Sequence, residues 1–214
     1  MDNNEKLKAI KRSFRLFMNG VTSQSMREKG LDYKINWGIS QPDLRRIASS
    51  YDKDMELADM LWAEKIRECR MLATLLCPAE EMTVEKAVEW STSVDSIELA
   101  EFLAFNLFQH IEGADRLVKP LLDADNKCLH ICAYHLATRL LKQRKPLDAE
   151  AYTALLGSAE ADFRQADRHV VHAMVNCLDY ITGSDSPYAE HTARLLKEFG
   201  LDAFSAIYLD TFLK

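Results

Sequence analysis

Glycine and proline are scarce in this chain, seven and five among 214 residues, and those present stand between apolar-periodic segments rather than inside them. Alternating polar and apolar runs are nearly missing as well, which excludes strands as the main element. No apolar run reaches the roughly 18 residues of a membrane-spanning helix, and the opening MDNNEKLKAIKRSF carries charge where a secretory leader needs an apolar stretch. The expectation is a soluble, cytoplasmic protein with no membrane partner. Cysteine is limited to Cys69, Cys77, Cys128, Cys132 and Cys177, an odd number at irregular spacings. That excludes the disulfide framework of a small secreted domain and points to a reducing compartment. GxSxG, GxGxxG and GxxxxGK[ST] are absent too, so hydrolysis from a serine elbow and nucleotide binding by those glycine loops lack support.

What is present is apolar and helical. Apolar residues make up 48% of the chain, enough to bury roughly 70% of the unfolded surface in one body. In ISQPDLRRIASSY, Ser40 precedes Pro42 and Asp43, the order of an N-cap with an acid three positions on, and Leu44, Ile47 and Ala48 repeat at helical spacing. The same period recurs in Leu57, Leu61 and Trp62; in Leu72, Leu75 and Leu76; in Val84, Ala87 and Val88; and in Leu99, Phe102, Leu103 and Leu107. Further on it predicts a helix opening at Asp125 or Asn126, a short one after Pro146, one after Asp162, one after Ser186 and a last one after Gly200. With the charged N-terminal helix this makes about eleven helices at a loose pitch of about 35 to 40 residues, as in helical-hairpin repeats. The fold expected is all-α, a HEAT-like helical-hairpin solenoid over residues 1–214 with no internal domain boundary. A helical bundle is the competing architecture, disfavoured because no segment is apolar all round.

Charge is unevenly placed. The formal net charge is −6, yet residues 1–50 hold ten Lys and Arg against five Asp and Glu. A net negative chain argues against a protein coated for nucleic acid, whereas a basic block on an acidic body keeps a phosphate contact open beside the reading of a solvated first helix. The candidates for DNA contact are Lys6, Lys8, Lys11, Arg12, Arg45 and Arg46.

Few residues suggest chemistry. Cys128, Cys132 and His135 project along one helical face, but three ligands on one helix cannot close a zinc tetrahedron and no CxxC pair completes the set. His169 and His172 lack a carboxylate partner pattern and read as a half-buried pair. No metal and no cofactor is expected. In EWSTSVDSIELAEFLAF, Trp90 and Asp95 flank a turn. Asp95 with Glu98 fits the D-x-x-E form of a capping box, so the carboxylate is read as the cap of the next helix, a reaction group being the alternative.

The order of YKINWGISQPDLRRIASSY, LADMLWAEKIRECRMLATLL, EWSTSVDSIELAEFLAFNLF and DADNKCLHICAYHLATRLL resembles the AlkD-like DNA alkylation repair family of HEAT-like repeat DNA glycosylases, over most of the chain and most specifically in SVDSI. The resemblance implies a concave basic surface for duplex DNA. It also implies excision of positively charged N-alkylated purines, with Asp95 matching the catalytic aspartate that stabilises the cationic sugar and positions water. This sequence departs from the pattern at the companions. The family's tryptophan four residues before the aspartate falls on Ser91, while Trp90 points about 100° away on a helix. Its arginine falls on Ile131, and a second tryptophan on Val175.

Three readings follow. A non-catalytic binder of duplex, branched or damaged DNA needs only basic groups gathered on the concave face. An N-alkylpurine glycosylase with a rearranged site needs Asp95 on the concave face with Trp90 or Tyr134 beside it. A protein-binding helical scaffold draws on the acidic segment 51–110, whose balance is −8.

Overall fold

The computed structural model describes residues 2–31, 33–165 and 167–200, and the stretch expected to be helical after Gly200 lies outside them. Among the described residues there are twelve α-helices and a single isolated bridge, between Ile35 and Ile66, so the all-α expectation holds. The chain divides into two compact units, residues 1–83 and 84–214.

The first unit opens with α1 (Asn3–Phe17), which starts on a capping box: the Asp2 carboxylate accepts from the Glu5 N–H at 2.8 Å and the Glu5 carboxylate from the Asp2 N–H at 3.2 Å. Ile10 and Phe14, one turn apart, are its buried face. α2 (Gly20–Glu28) is absent from the sequence reading because Ser23 is its one fully buried residue, and an apolar period therefore never shows. α3 (Gln41–Ala48) begins as expected, Ser40 accepting from the Asp43 N–H at 3.3 Å. α4 (Met55–Ala63) and α5 (Arg67–Leu76) pack on each other, with α1 against α4 and α3 against α5.

The extended segment before α3 is held by a buried acid. Glu68, fully buried, accepts from the N–H groups of Trp37 at 3.1 Å and Ile39 at 3.4 Å, and from the Arg67 guanidinium at 2.9 Å. Arg67 in turn donates to the Ile39 carbonyl at 3.1 Å. Gly38 is required in this segment: its φ is +69°, and a Cβ there would lie 2.2 Å from the Asn19 carbonyl oxygen.

The second unit contains α6 (Val84–Ser91), α7 (Ile97–Phe102), α8 (Val118–Leu122), α9 (Lys127–Lys142), α10 (Ala149–Gln165), α11 (Arg168–Thr182) and α12 (Ala189–Glu198). α7 runs on into a π-helical turn, Leu103–Leu107. α9 lies between α7 and α11 in one row; α8 lies between α6 and α10 in a second; α8 packs on α9 and α10 on α11. Paired helices stacked in two rows are what a helical-hairpin repeat needs to bury a continuous core. α9 opens at Asn126, and its predicted Leu129, Cys132, Ala133, Leu136 and Leu140 are all buried.

Two boundaries differ from expectation. The helix after Pro146 is not short but 17 residues long, and α11 starts behind Asp167 instead of Asp162. Asp162 lies inside α10, buried, where it accepts from the Tyr134 hydroxyl at 2.6 Å and meets the His130 Nδ1 at 2.7 Å. Two polar groups from α9 make an inward carboxylate tolerable, a pairing no local pattern reveals. α8 escaped the sequence reading because five residues are too few to show a period. Among the described residues no helix is long and apolar enough to cross a membrane.

Candidate nucleic-acid interface

The six basic residues named from sequence differ in their surroundings. Lys6 and Lys11 turn toward neighbouring acids, Lys6 to Asp54 at 3.4 Å and Lys11 to Glu64 at 2.8 Å. Asp54 caps α4, and its carboxyl is held below the usual range by the Leu57 N–H, with Asn3 and Lys6 adding to it. Lys8, Arg12, Arg45 and Arg46 are exposed, and the Arg46 guanidinium lies 4.7 Å over the Phe17 ring, which joins the end of α1 to α3. Sequence reasoning missed Arg15, also exposed, which follows Lys8 and Arg12 at the i, i+4, i+7 spacing of one helical face.

In the second unit Asp95 is exposed, and it does not cap α7. Ser96 does, its hydroxyl accepting from the Leu99 N–H at 3.3 Å. The register is one residue later than the D-x-x-E pattern suggests, because burying Val94 before the turn and Leu99 and Ala100 after it sets the phase of the helix. Asn126, the cap of α9, donates from its amide to the Val94 carbonyl at 2.8 Å, and Lys127 pairs with Asp167, the cap of α11, at 2.9 Å. The starts of α7, α9 and α11 therefore share one end of the row, with Asp95 at that end.

The residues named beside it from sequence are buried. Trp90 is packed in the core at 2% exposure, and Ser91 is buried with its hydroxyl donating to the Ala87 carbonyl at 2.7 Å. Tyr134 is buried toward Asp162, while Ile131 and Val175 are buried and apolar. Cys128 and Cys132 are buried thiols, and burial pushes both pKa values up. Among the described residues no three His, Cys, Asp or Glu are placed to hold a metal ion. His169 and His172 are exposed, not half-buried, on the outer turns of α11.

A pocket of about 470 Å³ opens farther along the row, lined by Phe105 of the π-turn, by His135, Thr138, Arg139 and Lys142 of α9, and by Asn176, Asp179 and Tyr180 of α11. The Arg139 guanidinium lies 4.7 Å over the Phe105 ring, and the Lys142 ammonium 5.7 Å over that of Tyr180. His135 meets Phe105 edge-on at 5.0 Å and stands 3.9 Å from Glu101. Burial, helped by the charges of His172, Arg139 and Lys142, pulls its pKa down to about 4, so the ring is neutral at pH 7. Burial raises Glu101, and Glu98 adds to the shift. Arg139 and Lys142 could have been found from sequence, since Ile131, His135, Arg139 and Lys142 follow one another on one face of a helix.

No curated protein sequence matches this chain significantly. A solved structure described as "A new family of proteins related to the HEAT-like repeat DNA glycosylases with affinity for branched DNA structures" is similar, with a TM-score of 0.76 and 16% identity over 96% of this chain and 94% of that one. At that identity the likeness speaks to the fold, which is HEAT-like. The family described as DNA alkylation repair enzyme matches residues 2–190, through both units, and with its helical-hairpin rows and SVDSI turn this chain belongs to that family.

Proposed function

We propose that this protein binds branched or damaged DNA through its phosphates without excising bases. The observation that carries the reading is the residue type and burial at the positions where the resemblance implies companions for Asp95. An exposed carboxylate is kept where catalytic relatives are expected to use one, but Ser91, Ile131 and Val175 offer neither an aromatic face nor a cation, and Trp90 is buried. A solvent-exposed carboxylate that lacks the aromatic and cationic companions implied by the resemblance stabilises a sugar cation only poorly, because water screens its charge. Binding asks for less: exposed Lys8, Arg12, Arg45 and Arg46 suit phosphate contact, and the similar solved structure is described as having affinity for branched DNA. That the family match runs through both units supports treating residues 1–214 as one functional domain.

Fluorescence anisotropy with an undamaged duplex, a methylated duplex and a four-way junction, each at two salt concentrations, tests the reading. Salt-sensitive binding is expected, with about −0.9 in the log–log slope per phosphate contacted. The junction should bind more tightly than the duplex, and no alkylated purine should be released. Release that disappears in Asp95→Asn would replace this reading with the glycosylase, and no binding at low salt would direct attention to protein partners.

A further inference from the structure

We propose that the pocket framed by Phe105, Arg139, Lys142 and Tyr180 is a second phosphate site, one that clamps the backbone of bound DNA with Arg139 and Lys142. The inference rests on the DNA-binding reading. Its first support is the way the cations are held. Each lies against an aromatic face, Arg139 on Phe105 and Lys142 on Tyr180, so part of the freedom a long side chain would lose on meeting an anion is already gone.

The second support is the balance of the lining. Two cations face one carboxylate, Asp179, while Asn176 keeps an amide hydrogen beyond the one it shares with His172, and His135 is neutral. An exposed guanidinium beside an ammonium suits the oxygens of a phosphodiester. The pocket is also open and polar, unlike an enclosed apolar site for a flipped base.

The third support is position. Arg139 stands near the C-terminal end of α9, eight residues after Ile131 on the same face, about 12 Å along the axis. Arg139 and Lys142 are thus placed away from the end of the row where Asp95 lies. A clamp so placed grips backbone away from Asp95, which suits binding without excision.

The test compares the wild type with the double variant Arg139→Gln/Lys142→Gln across a salt series, using the four-way junction and the duplex. Inorganic phosphate and a mononucleotide serve as separate probes by thermal shift. The variant should melt like the wild type, bind DNA more weakly and lower the steepness of the salt slope by about 1 to 2. Neither small probe should stabilise the wild type as an oligonucleotide does. If the wild type binds DNA and the variant keeps its affinity and slope, the pocket assignment fails and the DNA reading survives. Equal stabilisation by inorganic phosphate or the mononucleotide, lost in the variant, would give the pocket to a free phosphate ligand and overturn the clamp. No DNA binding by the wild type would remove both.

Discussion

At the scale of the residue, Asp95 and Ser96 show how a one-position shift separates a cap from a surface carboxylate. Ser96 satisfies a first-turn N–H of α7, and deleting its hydroxyl in Ser96→Ala should cost about 1 kcal/mol, within the range of about 0.5–2 for such caps. Asp95 precedes the cap, where a negative charge near the helix N-terminus is worth about 0.3–1 kcal/mol at low salt, so Asp95→Ala should cost less than Ser96→Ala. Urea denaturation of the two variants separates the assignments, and equal losses would return the cap to Asp95. A stable Asp95→Asn is then a clean probe for excision, because its effect on the fold is small.

Among the elements, the segment before α3 depends on one buried acid of α5. Glu68 holds two backbone N–H groups and the Arg67 guanidinium where water does not reach. Removing one member of a buried, hydrogen-bonded charge pair leaves the other uncompensated, so Glu68→Ala should cost about 3–5 kcal/mol. Glu68→Gln keeps an acceptor and should cost less. Denaturation read by tryptophan fluorescence follows the segment, since Trp37 is one of the bonded residues. A loss below about 1 kcal/mol in Glu68→Ala would show that the segment is held by other contacts.

For the whole molecule, two histidines of the second unit give opposite pH dependences. His135 is depressed to about 4 by burial, with His172 of α11 and Arg139 and Lys142 of α9 acting in the same direction while Glu101 of α7 faces the ring. Between about pH 6.5 and 4 the unfolded chain therefore binds the proton that the folded one refuses, and stability falls as pH falls. His130 is raised by its hydrogen bond to Asp162, against burial. Its contribution is complete below the unfolded value near 6.5 and is lost as pH rises through the folded one. Stability curves from urea melts should flatten on the acid side in His135→Gln and on the neutral-to-alkaline side in His130→Gln. Unchanged curves would show that neither ring is perturbed as the packing implies. The net charge of −6 belongs to this scale as well, because the proposed DNA contact then rests on local groups such as Lys8 and Arg12 and not on the overall charge.

The sequence by itself determined the helical class, most of the helix starts and the HEAT-like repeat order. Those follow from local signals: caps such as Ser40 and Asn126, and apolar periods such as Leu57, Leu61 and Trp62 on α4. It also showed a serine at 91 and an isoleucine at 131, where the resemblance implies a tryptophan and an arginine, since residue type alone carries that. What it could not supply was direction across space. Only the tertiary structure decided that Asp162 turns inward to His130 and Tyr134, that Trp90 is core, that Lys6 and Lys11 meet acids about fifty residues away, and that Arg139 and Lys142 rest on Phe105 and Tyr180. The physical reason is the range of the interactions: capping and amphipathic spacing act within one or two helical turns, whereas ion pairs, cation–ring contacts and buried polar partners join residues that only the packing of separate helices brings together.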